Sequence, residues 1–304
     1  MMSLFAFQGA VELGLGYGLL AIGLYISYRI VNVADLTVDG SFTLGAAVSA
    51  VLTAAGHPVF GVLAAMVIGS LAGFATAFLQ TKMKIQPILA GILTMTALYS
   101  VNLRIMGKPN VPLLGADTIF TMMASVVGDK FSKLLTCLLI VLIIMAAVVL
   151  FFRTQLGLSI RATGDNEDMV RSSSINSDMT KTIGLCMANA IVALSGAVIA
   201  QMQMFADSSM GIGMVVIGLA SIIIGEVIFG HSSVLRSVIA VTLGSVIYRI
   251  IIAEVLELGM PQGDLKLISS VIVALAISYP VLISHLRMRT LRKGNDRKGE
   301  KSRA

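Results

Sequence analysis

An all-α, polytopic membrane bundle is the fold this sequence predicts, and three observations carry that prediction. Charge is scarce: of 304 residues 57% are hydrophobic and 12% charged, with mean hydropathy +0.93, against about 25% charged residues in an average soluble domain. The apolar residues come in runs near the ~20 residues a helix needs to cross the hydrocarbon core. Glycine is abundant, at 29 residues, as suits helices that approach one another closely in lipid.

Taken in order, about nine segments qualify as transmembrane helices: Gly9–Val31, Phe42–Gly56, Pro58–Gln80, Pro87–Met106, Lys133–Phe152, Ile183–Gln201, Ile212–Gly230, Ser237–Val255 and Leu267–Leu286. The first has no basic stretch before it, so no cleavable signal peptide is expected. The second is short for a span and is expected to begin inside the protein, which places a broken helix near residues 32–42. In the third, Gly61, Ala65, Gly69, Gly73 and Ala77 recur every four residues. That pattern lays one smooth stripe along a helix face, for packing inside the bundle or between subunits. Gly14 and Gly18 do the same in the first. The stretch Leu113–Val127 is mildly apolar and suggests a re-entrant piece.

Orientation follows from Lys/Arg asymmetry. From Arg287 onward there are eight Lys/Arg against two acids, Asp296 and Glu300. Residues 1–286 therefore read as a single membrane domain and 287–304 as a basic cytoplasmic tail, expected to be disordered. The loop 153–182 and the turn carrying Lys82 and Lys84 fall on the same side. Nine spans then place the N-terminus outside, with 107–132 and 257–266 facing outward. The basic tail reads as an orientation signal and not as a nucleic-acid surface. Cys137 and Cys186 lie in apolar runs, where they behave as small hydrophobes and imply neither a disulfide nor a metal site.

No energy source is visible in the chain. It has no G-x-x-x-x-G-K-[ST] phosphate loop, no span with the paired charges of a proton pump, and no catalytic or metal constellation; no cofactor is expected. His57, His231 and His285 all fall at span ends.

Polar groups at membrane depth are costly, and four places stand out. Asp35, Thr37, Asp39 and Ser41 crowd a ten-residue stretch between the first two spans. They suggest irregular backbone lining a cavity, or an ordinary cytoplasmic turn in which Asp39 or Ser41 caps the next helix. Asn102, with Arg104, marks the outer end of the fourth span, as polar lining or as a cation reaching out to water. Gln201, Gln203, Phe205 and Asp207, followed by Gly211 and Gly213, mark either a discontinuous helix on a transport path or an outer hairpin loop. Glu226 sits near the inner end of the seventh span, where a structural bond to Arg236 or to a neighbouring backbone is favoured over a transport role.

The loop Arg153–Thr182 is the only long polar interruption. Asp165 and Asn166 can cap a short helix, with Glu167 and Asp168 in its first turn, where acids suit the dipole.

Together these motifs resemble a known family. Asp35-Leu-Thr-Val-Asp39-Gly-Ser41 after an apolar helix, and Ala162-Thr-Gly-Asp-Asn-Glu-Asp-Met169 followed by Ser174-Ile175-Asn176, resemble permease subunits of binding-protein-dependent ABC importers of the ribose and branched-chain amino-acid class. Ala200-Gln-Met-Gln-Met-Phe205-Ala-Asp207, Met210-Gly-Ile-Gly213 and Ile224-Gly-Glu226 are similar to a branch with proposed tryptophan and tyrosine importers. The resemblance spans nearly the whole chain.

It implies a bacterial inner-membrane transport subunit that is not itself an enzyme. Gly164, Asp165, Asn166, Glu167, Asp168, Met169, Arg171, Ser174 and Ile175 would dock a separate ATPase. Asp35, Thr37, Asp39, Ser41, Asn102, Gln203, Phe205, Asp207 and Glu226 would line or support the translocation path. The implied partners are two ATPase copies, an extracytoplasmic substrate-binding protein and a second permease copy, most simply a homodimer. An amino acid, aromatic by preference, is the expected substrate; a sugar or nucleoside importer, or an ATPase-independent transporter or channel, is the alternative. At Ser174 the branch usually has Gly, which puts the turn after the docking helix in question.

Overall fold

The computed structural model describes residues 4–230 and 232–258, with isolated positions between 264 and 278. Most of the expected ninth span and all of the basic tail lie outside the described residues. The chain opens with α1 (Leu4–Tyr25), which continues into a π-helical turn, Ile26–Ile30. An irregular link follows, then α2 (Thr37–Ala54), α3 (Pro58–Thr81) and α4 (Pro87–Met106). A strand β1 (Asn110–Pro112), a short helix α5 (Ile119–Val127) and α6 (Asp129–Phe151) come next. The polar loop folds as α7 (Gln155–Asp165) and α8 (Glu167–Ser172) and leads into α9 (Ser177–Gln203). A strand β2 (Phe205–Asp207), α10 (Met214–Phe229) and α11 (Val234–Glu257) complete the described fold.

Seven of these helices are long and apolar enough to cross a membrane; α10, at 16 residues, is shorter. Helices α1, α2 and α9 are buried over most of their length, whereas α3, α4 and α6 expose most of theirs. The core is therefore α9 wrapped by α1, α2 and α3, with apolar outer faces such as Phe60, Leu63, Val67 and Leu71 left for lipid or another chain. The small-residue stripe of α3 packs inside the bundle. A Cβ on Gly69 would meet Ala193 Cβ at 2.4 Å, and one on Gly73 the Leu185 carbonyl at 2.4 Å. Gly14 and Gly18 of α1 face Val246 and Thr242 of α11. Both stripes act by letting backbones touch.

The second helix starts five residues before the expected Phe42. Thr37, Asp39 and Ser41 look like loop residues, but other helices supply their partners, so the helix extends through them. The link 31–36 climbs to it from one end of the bundle. Val31 lies against Gly184, while Asp35 is bonded to Asn189, about 7.5 Å further along α9 and about 18 Å from its start. The chain is thus broken near the middle of the bundle, where α2 begins.

At the opposite end, β1 and β2 pair antiparallel, Asn110 with Asp207 and Pro112 with Phe205. The stretch 113–127 folds as a buried Leu113, a Thr118 cap and α5, which packs on α6.

Candidate functional site

The polar loop is an ordered unit held against the bundle. Thr154 caps α7, its Oγ1 accepting from Gly157 N at 3.3 Å. Asn166 breaks the chain between α7 and α8, and its Oδ1 accepts from Met169 N at 3.0 Å. Asp165, an expected cap, is instead the last residue of α7. Gly164 is where this unit meets the bundle: a Cβ there would fall 1.9 Å from the Ile30 carbonyl oxygen. Asn32, in the left-handed conformation that Asn tolerates, donates to the Gly164 carbonyl at 3.5 Å.

Helix α8 is then clamped by charge. Glu167 accepts from Arg171 at 2.8 Å, from Lys181 at 2.5 Å and from Ser177 at 3.2 Å. Arg171 also donates to Ser177 at 2.8 Å and stands 3.7 Å from Asp178. Asp178 in turn sits 3.8 Å from both Lys82 and Lys84 of the α3–α4 turn. Glu167 is thus held against the start of α9, Arg171 bridges it to Ser177 while its side chain stays 52% exposed, and Val170 is buried. The outer face carries Asp168, with Met169 54% and Ile175 36% exposed. This short helix thus keeps Asp168 and Met169 open, and the turn after it Ile175, while bonds to α9 hold it in place.

The Lys181 hydrogen bond, reinforced by Lys181 and Arg171 charge and by Ser177, holds the Glu167 carboxyl below the usual glutamate range, against partial desolvation acting the other way. A depressed acid contributes its stability above its ordinary pKa of 4.5 and loses it as pH falls through the lower folded value. The α8 clamp is thus expected to hold at neutral pH and to loosen below about pH 4.5. Amide exchange of residues 166–176 should rise in that window, and Glu167→Gln should flatten the profile.

Ser174 itself adopts φ +62°. The turn that Gly would make is thus made by Ser, at a steric cost of about 1–2 kcal/mol in the left-handed region. Gly there pays more chain entropy, roughly 0.5–1 kcal/mol. Ser174→Gly is therefore expected to be neutral to slightly stabilising in a thermal melt; a clear loss would contradict this account of the turn.

The second cluster lies where α2 begins. Asp35 is buried, and its carboxylate accepts from Thr37 N at 2.9 Å and from Asn189 Nδ2 at 2.7 Å. Ser41 donates to Asn189 Oδ1 at 2.6 Å, and Thr37 and Thr76 hydroxyls lie 2.7 Å apart. Asp35 thus caps α2 and ties it to α9, the role expected of Asp39 or Ser41. Asp39 caps a different helix: it accepts from Gly213 N at 3.0 Å and Val215 N at 2.9 Å at the start of α10. Two helix N-termini converge at the broken region, each met by an aspartate. Asn102 of α4 donates to the Gly40 carbonyl at 3.3 Å, and its buried Oδ1 has no partner among the described residues.

The remaining expected path residues sit apart. Gln203 ends α9, Phe205 and Asp207 belong to β2, and Asp207 accepts from Ser209 N at 2.8 Å. The Ser209 hydroxyl above all, and then this backbone bond, hold the Asp207 carboxyl below the usual aspartate range, against partial desolvation acting the other way. Glu226 is paired with Arg29 at the end of α1, through Arg29 Nε at 3.0 Å and a second, shorter bond. The expected partner Arg236 donates instead to the Phe229 carbonyl at 2.6 Å.

Two contributors were missed. Asn189 is an amide near the middle of α9, and Arg249 a cation well inside α11; each was a readable signal of a polar group at membrane depth. Arg249 stacks on the Tyr17 ring, 3.7 Å from its centre, and Tyr17 stacks on Phe42. Gln201, noted in sequence for its setting, is a buried tie: it donates to Ser49 at 2.9 Å and to the Pro58 carbonyl at 3.0 Å, and accepts from Ile119 N at 2.9 Å.

With this geometry in view, comparison with known proteins gives a family. Residues 7–281 match the model of the branched-chain amino acid transport system permease component. The chain belongs to this permease family. The permease is 40% identical, over 84% of each chain, to a tyrosine transport system permease protein of Clostridioides difficile. It is 35% identical to an uncharacterized protein of Rickettsia prowazekii, over 85% of its own length and 92% of that chain. A more distant relative, an autoinducer 2 import system permease protein of Yersinia enterocolitica, is 28% identical over 65% of the permease and 52% of that chain. No solved structure matches.

Proposed function

We propose that the permease forms the membrane path of an ATP-driven importer and that α8 transmits the stroke of a separate ATPase. The observation that carries this reading is the braced platform of α8, with Asp168, Met169 and, just after the helix, Ile175 open to a partner while Glu167 is bonded to Arg171, Ser177 and Lys181. The chain has no phosphate loop of its own, so a motor would have to come from another protein. One platform per chain and two ATPases per nucleotide-driven closure favour a homodimer. Lys/Arg asymmetry favours a cytoplasmic platform and an outward N-terminus.

In this reading, ATP-driven closure moves two α8 helices together. Each carries its α7, and with it Gly164 against Ile30 at the foot of α1. The movement reaches the broken region through the link 31–36, where Asp35, Thr37, Ser41 and Asn189 hold α2 to α9, and Asp39 holds α10. Asn102, Gln203, Phe205 and Asp207 would lie along or above that path. A substrate-binding protein delivers cargo on the side of the β1–β2 pair.

An amino acid, aromatic by preference, is the proposed substrate; the 40% identical tyrosine transport permease supports this over a sugar or nucleoside, and over the autoinducer 2 of the 28% identical relative. The test is uptake into proteoliposomes containing the permease and its ATPase, supplied with the binding protein and labelled L-tyrosine. ATP-dependent accumulation is expected. Accumulation without ATP would favour a secondary transporter, and transport of a pentose but not of amino acids would favour the sugar class.

A further inference from the structure

A polar cavity of about 260 Å³ opens at the end of the bundle that carries α8, between the foot of α1, the end of α7 and the α10–α11 junction. At that size it suits a small polar molecule and not a drug-sized one. Its charges are arranged in two kinds. Arg29 and Glu226 neutralise each other across the α1–α10 contact. Arg161 and Asp165, one turn apart on α7 and both exposed at the cavity mouth, also line it; Arg161 acts on Tyr25 through its charge, but among the described residues neither makes an ion pair or a side-chain hydrogen bond. Ser232 and Ser233 add hydroxyls on the facing wall, and the Tyr25 ring adds apolar surface.

We infer that this cavity is a binding site for a free amino acid on the ATPase side, one that holds back transport when occupied; the inference rests on the amino-acid reading above. A lone guanidinium beside a lone carboxylate complements a zwitterion. The ligand's carboxylate would accept from Arg161 and the serine hydroxyls, and its ammonium would donate to Asp165. Neither charge would need a counter-ion of its own. The position supplies the consequence. Asp165 precedes Asn166, the cap of α8, and Arg29 lies in the π-helical turn that continues α1. A ligand bridging α7 to the α10–α11 junction would fix the coupling unit against helices it must move past.

The experiment uses proteoliposomes with permease and ATPase, ATP and L-tyrosine sealed on the ATPase side, and loaded binding protein outside. The readout is ATP hydrolysis stimulated by the binding protein. Internal L-tyrosine is expected to slow it several-fold relative to vesicles without it, whereas tyramine, lacking the carboxylate, and 3-(4-hydroxyphenyl)propionate, lacking the ammonium, should not. Arg161→Gln should restore the rate, and should weaken equilibrium binding of labelled L-tyrosine to the purified permease roughly tenfold or more, the scale of a charge-assisted contact. Arg161→Lys should recover part of the binding. Inhibition that is absent, matched by tyramine, or unchanged in Arg161→Gln overturns the inference. Stimulated hydrolysis in vesicles without internal tyrosine tests the importer reading separately, so the two can fail independently. If Arg161→Gln gives an inactive complex, the binding measurement on it and on Arg161→Lys still decides.

Discussion

Asp35→Ala is expected to lower the melting temperature of the purified permease more than any substitution on its outer faces. The carboxylate satisfies Thr37 N and Asn189 Nδ2 in the buried seam between α2 and α9. Removing it strands two donors, each costing about 1–3 kcal/mol when buried without a partner. Roughly 3–5 kcal/mol is the expected loss. Asn189→Ala should cost a similar amount, since it strands Asp35 and Ser41 together. The double variant should be far less than additive, because both changes remove one network. Additive losses would show that the two residues act separately, and a melt unchanged by Asp35→Ala would remove the seam from the account. Asp35→Asn is the milder comparison: it can still accept from Thr37 N, but presents an amide where Asn189 also donates.

The second large effect is local. Gly164→Ala places a methyl 1.9 Å from the Ile30 carbonyl oxygen, a contact with backbone on both sides and so with no flexible side chain to yield. Overpacking of this kind costs typically 1–3 kcal/mol. Here, displacement of α7 and α8 from the foot of α1 is the expected relief. The predicted result is a permease that melts nearly as before but whose residues 155–176 exchange amide hydrogens much faster, with transport falling at least tenfold in reconstituted vesicles. Normal exchange and normal uptake would show that this contact transmits nothing.

These two positions also show what the sequence made legible. The short helix α8 could be read because its logic is local: a cap at Asn166 and acids in the first turn lie within three residues. The small-residue stripe of α3 was likewise readable as helical spacing. The start of α2 was not, because its polar residues resemble a loop until their partners are known, and those partners, Asn189, Thr76 and the amides at 213 and 215, are remote in sequence. The same holds for Glu226, whose partner Arg29 lies 197 positions away, while the nearby Arg236 looked the natural choice. The β1–β2 pair is three residues long on each side and carries no periodicity to read. Conversely, Glu167 looks in sequence like a docking contact. Its bonds to Arg171, Ser177 and Lys181 give it an internal role, and leave Asp168 and Met169 as the outward face.

That distinction gives the most direct test of the central claim, that α8 seats in a separate ATPase. Met169 is 54% exposed and packs no core, so Met169→Asp should leave folding intact. Co-expressed with its ATPase and purified through a tag on the permease, the Met169→Asp variant is expected to lose most of the bound ATPase while keeping the melting temperature of the unaltered protein. ATPase retained at full stoichiometry, with undiminished uptake, would contradict the coupling role of α8.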